Sequence, residues 1–270
     1  MHTTDGPAPA PRLEGPDWWR GGVGYEIYVR SFLDSNGDGT GDLPGITAKL
    51  DHLAALGVDV VWITPFYPSP GHDHGYDVSD YVDIDPQFGT LADLDTLVAA
   101  AHERGLRVFA DIVPNHSSIQ HPWFQAAIAD VHSPYRDYYL FRPPAADGGP
   151  PNNWVSHFGG PAWSPDPAGT GDYYCHLFLP EQPDLNWDNP AVMDEFLAIL
   201  RFWCERGIDG FRIDVAHGLT KDPEFRDNPQ LRPVTPDMHP TDVFNSFAHV
   251  HDLHRLFDPA AGAVSAEASA

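Results

Sequence analysis

Three short runs in this chain end in groups able to attack carbon or move protons. "GFRIDVAHG", Gly210 to Gly218, sets Arg212 and Asp214 into an apolar stretch, with His217 shortly after; "DIVPNHSS" carries Asp111, Asn115 and His116; "AVSAEAS" carries Glu267. Ions buried in a strand are costly unless paired, so such residues form a satisfied structural pair or a reactive site at a strand's open end. Asp214 and Glu267, placed on neighbouring strand ends, would lie about 5–5.5 Å apart, the separation a retaining glycosidase needs between its nucleophile and its acid/base. Arg212 returns to the same face as Asp214, and its charge would hold that carboxyl ionised. A purely structural Arg–Asp pair fits the same spacing. A fourth run, "DSNGDGTGD", begins like a calcium loop, with Asp34, Asn36 and Asp38 at EF-hand spacing and Gly39 at the turn. Its twelfth position is Gly45, where an EF-hand needs a bidentate Glu, and Pro44 with a preceding strand denies it the helix–loop–helix setting.

The elements that would present these groups alternate regularly. "GYEIYVRSF" (Gly24 to Phe32), "VDVVWI" (Val58 to Ile63), "LRVFADIV" (Leu106 to Val113) and "IDGFRID" read as buried strands, and "GAVSAE" as a fifth. Between them "ITAKLDHLAALG" is helical in spacing. The run from Leu91 to Arg104 predicts a helix capped by Thr90 and stopped at Gly105, with Leu94, Leu97, Val98 and Ala101 inward. Asn189 and Pro190 start another, ended by Gly207, with Val192, Phe196, Ile199, Leu200 and Trp203 on one face. A last helix is predicted over 242–256. Repeated right-handed βαβ units imply a parallel sheet, closed as a barrel or open. From His116 to about Leu185 the rhythm breaks into a stretch rich in Pro, Gly, Asn and aromatic residues, read as an inserted subdomain because a structureless loop of that size is improbable.

Composition narrows the partners. The 270 residues are 42% hydrophobic, enough for a large core, and 39 acidic against 15 basic side chains give a net charge of −24. That balance disfavours nucleic acid and anionic membrane as partners and otherwise marks a solvated surface. Cys175 and Cys204 form no ligand pattern and read as buried thiols. Residues 1–17 read as a disordered tail with neither signal nor anchor character, which points to a cytoplasmic protein.

Taken together, "YEIYVRSFLDSNGDGTGDLPGI", "GYDVSDY", "DIVPNHSS", "QPDLNWDNP" and "GFRIDVAHG" resemble the α-amylase superfamily of glycoside hydrolases, family 13, above all its oligo-1,6-glucosidase and α-glucosidase branch. The resemblance runs from about Trp18 to Ala268. It implies a (β/α)8 barrel, here incomplete at about five βα units, with residues 18–115 and 186–270 as domain A and 116–185 as an irregular domain B after the third strand. It implies Asp214 as nucleophile, Arg212 as the arginine orienting it, Glu267 as general acid/base, and His116 and His217 as substrate-binding residues. In "GHDHGYDVSDY" it implies that Asp73 and Tyr76 close a pocket around a terminal glucose, and in "HLFLPEQPDLNW" that Phe178 and Gln182 line the next subsite. It also implies a structural Ca²⁺ or Mg²⁺ held by Asp34, Asn36, Asp38 and Asp42 with the Thr40 carbonyl, and no cofactor for the chemistry itself.

The expected activity is retaining hydrolysis of terminal α-linked glucose from short oligosaccharides. A glucosyl-transferring or isomerising relative, of trehalose synthase or sucrose-active type, and a catalytically inactive fragment are the alternatives. The chain departs from the family at its end, which reads "EASA" after the fifth strand, and offers no counterpart to the family's third carboxylate. Five strands leave an edge and apolar inner faces uncovered, so self-association or a missing C-terminal half is expected to cover them.

Overall fold

The computed structural model describes residue 15 and residues 17–229. The helix expected over 242–256, the fifth strand and Glu267 lie outside the described residues, as does nearly all of the expected N-terminal tail. The described residues form two compact units: 15, 17–68, 80–112 and 198–213 belong to the first, and 69–79, 113–197 and 214–229 to the second.

The first unit is built on four parallel strands in the order β1-β2-β3-β7, with β1 Gly24–Ile27, β2 Val60–Ile63, β3 Arg107–Ile112 and β7 Gly210–Ile213. Strand alternation gives the sheet two different faces. Ile27, Val61, Ile63, Val108, Ala110 and Ile112 point one way and are buried. The register Glu26↔Trp62↔Phe109↔Gly210 sets a second face of polar and aromatic groups, Glu26 exposed and both rings half-buried. Trp18 meets Phe109 edge-on at 6.2 Å there, beside a cleft of about 350 Å³ bordered by Val60, Trp62 and Arg212.

Two helical expectations change in detail. The segment after "YEIY" is not strand to Phe32: β1 stops at Ile27 and the chain turns into a short helix α1, Val29–Phe32, with Val29 buried. The next helix is broken at Lys49 into α2 (Leu43–Ala48) and α3 (Leu50–Ala55). Ile46, Leu50 and Leu53, spaced for one helix face, are all fully buried, so the apolar stripe continues across the break. Asp42 caps α2, its Oδ1 accepting from the Gly45 N–H at 2.6 Å. Gly45 has no room for a side chain, since a Cβ would collide with the Leu33 carbonyl oxygen. Gly45→Ala is therefore expected to lower stability by about 1–3 kcal/mol, read as a fall in the urea midpoint at unchanged m-value.

Helix α4, Leu91–Glu103, carries a Thr90–Asp93 capping box and buries Leu94, Leu97, Val98 and Ala101, as its periodicity requires. Helix α6, Pro190–Glu205, is capped by Asn189, whose Oδ1 accepts from Ala191 N–H at 3.0 Å; Val192, Phe196, Ile199 and Trp203 are buried, Leu200 only partly. Of the two cysteines, Cys175 is buried but Cys204 on α6 is exposed, against the reading of both as buried thiols.

The second unit contains the stretch that broke the βα rhythm. It has one eight-residue helix, α5 (Pro122–Ala129), which the sequence did not suggest, and a small antiparallel sheet in the order β4-β6-β5: β4 Phe141–Arg142, β5 Trp163–Pro165, β6 Tyr173–Cys175. Its core gathers Leu140, Trp154, Trp163, Cys175 and Leu177, and the Phe225 ring stacks on Trp154 at 5.4 Å. No helix among the described residues is long and apolar enough to cross a membrane.

Candidate active site

The second unit brings most of the expected site residues to one place. Gln182 is fully buried. Its Nε2 donates to Asp73 Oδ2 at 2.8 Å and lies 3.0 Å from His116 Nε2, while its Oε1 accepts from the Leu179 N–H at 3.0 Å. His116, 1% exposed, sits just beyond the end of β3 with its ring 5.1 Å from that of Phe178. Burial pushes the His116 imidazole below its ordinary range, while the nearby carboxylates of Asp184, Asp214 and Asp73 pull the other way. Asp214, directly after β7, therefore bears on the same ring as Asp73.

The Asp73 loop is held by a residue whose part the sequence concealed. Asp77 is fully buried and accepts from Ser69 Oγ at 2.7 Å, His72 N–H at 2.9 Å and Asp73 N–H at 3.1 Å. The Tyr76 N–H then donates to the Asp73 carbonyl at 2.9 Å, closing a turn in which His74 takes φ 52°. Val215, the neighbour of Asp214, takes φ 48°. A β-branched residue in that region is strained. A positive φ thus stands next to Asp73 and next to Asp214. His217 lies in the short 3₁₀ turn after Val215 and is exposed.

Lys221 is the second residue missed. A lysine in a polar loop reads as solvated, yet this side chain is 3% exposed and its Nζ reaches Asp184 Oδ2 at 2.8 Å, Asn115 Oδ1 at 2.7 Å and the Gly218 carbonyl at 2.7 Å. Asn115 Nδ2 in turn lies 3.1 Å from His116 Nδ1. An Asn directly before a candidate site His was the available signal; the lysine gave none.

Arg212 belongs to the first unit. Its guanidinium pairs with Asp111 at 3.1 Å and lies 5.1 Å from the centre of the Trp62 ring, whose Nε1 also donates to Asp111 at 3.2 Å. Asp111 is wholly buried, and its charge is paired with Arg212, its register partner across β3 and β7.

The geometry does not show the expected metal site. Asp34 accepts backbone N–H groups of Asn36, Gly37 and Gly39, at 2.6 Å for Gly37; Asp38 accepts from Thr40 N–H at 2.8 Å; and Asn36 Nδ2 donates to Asp38 at 3.0 Å. These backbone bonds hold the Asp34 carboxyl below its ordinary range. Asp42 is turned to its capping task and to Ser35, whose Oγ donates to it at 2.8 Å. The loop is closed by its own hydrogen bonds. Among the described residues no group of three or more His, Cys, Asp or Glu is placed to hold a metal ion, so Asp34, Asn36, Asp38, Thr40 and Asp42 are not assembled as one ligand set.

The second unit thus gathers a His–Gln–Asp cluster whose polar groups can both donate and accept hydrogen bonds. The chain belongs to the alpha-amylase family: the family's catalytic-domain model matches residues 26–265. It is 51% identical to a probable alpha-glucosidase of Rhizobium meliloti over 88% of its own length and 44% of that protein's. It is 53% identical to an oligo-1,6-glucosidase of Parageobacillus thermoglucosidasius, over 78% of this chain and 37% of the other. Among solved structures, the α-glucosyl transfer enzyme XgtA superposes with a TM-score of 0.78 at 54% identity, covering 80% of this chain and 40% of that one. The chain thus spans less than half the length of these relatives.

Proposed function

We propose that the chain is the nucleophile-bearing part of a retaining α-glucosidase that removes terminal α-linked glucose from short oligosaccharides. The observation supporting this most directly is the cluster of Gln182 with Asp73 and His116, whose imidazole also feels the charge of Asp214. Asp73 accepts from sugar hydroxyls, Gln182 and His116 offer polar contacts to others, and Tyr76 and Phe178 present aromatic surface to the apolar face of a pyranose. Asp214 attacks the anomeric carbon while Glu267 protonates the glycosidic oxygen. The covalent glycosyl–enzyme is then opened by water that Glu267 deprotonates. Arg212, fixed on Asp111, stands as the residue that orients the β7 end.

In the same reading residues 18–115 and 186–270 form part of a (β/α)8 barrel and 116–185 its inserted domain B. Glucose release from maltose, isomaltose and an aryl α-glucoside tests the proposal, with Asp214→Asn as the control. A second reading keeps the glycosyl–enzyme but hands glucose to a sugar instead of water. It is favoured by the 54% identity to XgtA, an α-glucosyl transfer enzyme, and would appear in the same assay as disaccharide products formed in place of free glucose.

A further inference from the structure

His116 is flanked by two primary amides whose orientations are fixed from outside. The Lys221 ammonium can only donate, so the Asn115 atom 2.7 Å from Nζ must be its carbonyl oxygen, and the Asn115 NH₂ is the group facing His116 Nδ1 at 3.1 Å. Gln182 is likewise pinned, because its carbonyl oxygen accepts the Leu179 N–H at 3.0 Å, leaving its NH₂ toward Asp73 at 2.8 Å and toward His116 Nε2 at 3.0 Å. Both ring nitrogens therefore face NH₂ groups, and a neutral imidazole can accept at one nitrogen only. The side that wins fixes which nitrogen carries the proton.

The Asn115 side has the stronger claim. Its carbonyl accepts a charge-assisted hydrogen bond, which polarises the amide and makes its N–H a better donor. The Gln182 NH₂ already donates to the Asp73 carboxylate, which weakens its remaining N–H as a donor. The charged groups bearing on the ring are Asp184, Asp214, Asp73 and Lys221, and the imidazolium is further opposed by burial. We propose that Lys221 is a positioning residue: acting through Asn115, it fixes neutral His116 with its proton on Nε2, so that the ring presents an N–H on the Asp73 side, where a sugar hydroxyl oxygen would accept it. This deepens the reading of the cluster as a sugar site and rests on it.

The tautomer can be read without turnover, by long-range ¹H–¹⁵N correlation of histidine-labelled chain 1–270, with His116 assigned by the signal lost in His116→Gln. The expected spectrum shows an unprotonated, acceptor-type Nδ1 and a protonated Nε2. Asn115→Asp keeps the bond from Lys221 but replaces the amide donor by an acceptor, and is expected to move a proton onto Nδ1. Lys221→Met is expected to mix the two tautomers, and if it does not fold, Asn115→Asp carries the test. A wild-type ring protonated at Nδ1, or an Asn115→Asp spectrum like wild type, overturns the proposal. If the expected spectra come from a chain that releases no glucose, the functional reading fails while the tautomer assignment stands.

Discussion

Asp214→Asn is expected to abolish glucose release, by at least about a thousandfold, while leaving the thermal midpoint near that of the parent chain. The carboxamide is nearly isosteric with the carboxylate but cannot supply the electron pair that forms the glycosyl–enzyme, and removing a covalent nucleophile typically costs orders of magnitude in rate. Asp214 is chosen by its place in "GFRID", the run that resembles the family's nucleophile motif. Activity within a few-fold of the parent would dismiss Asp214 as nucleophile. Activity lost together with a large fall in the midpoint would mark a structural role instead.

Lys221→Met carries the largest expected effect on stability, a loss of about 3–5 kcal/mol, because it leaves the fully buried Asp184 carboxylate with an uncompensated charge. Asp184 keeps one backbone donor, the Leu177 N–H at 3.0 Å to Oδ1, but its other oxygen faces Lys221 at 2.8 Å. Denaturant unfolding of Lys221→Met, Asp184→Asn and the double variant closes a thermodynamic cycle. The double variant should recover much of the loss, since removing both charges is far cheaper than removing one. A single-variant loss below about 1 kcal/mol would mean that the carboxylate is satisfied by other groups.

Much of this architecture was readable in the chain because burial imposes simple periods. β2, β3 and β7 are apolar runs, and α4 announces itself through Thr90, its capping box and the stop at Gly105. What could not be read depended on contacts distant in sequence. Extension of β1 to Phe32 was the natural reading of an apolar stretch, but Val29 is buried in a helical turn whose N–H meets Thr64 Oγ1 at 3.3 Å. The break at Lys49 leaves the apolar spacing intact and so leaves no mark. Within the candidate site, His116, Gln182 and Asp73 were recognisable from their motifs. Lys221 was not, since nothing local distinguishes a lysine that will bridge Asn115 and Asp184 from one that will face water. The metal ligand set is not shown: short polar residues at regular spacing also make self-bonded turns, and here backbone N–H groups bond those oxygens.

The hydrogen bonds that assemble the site have a consequence for how it comes into being. Gln182 to His116 spans 66 residues, Lys221 to Asn115 spans 106 and Gln182 to Asp73 spans 109. Each bond must wait for a long loop to close, and loop-closure entropy is spent before any of them contributes. On a growing chain the whole cluster cannot form until Lys221 has been synthesised and released.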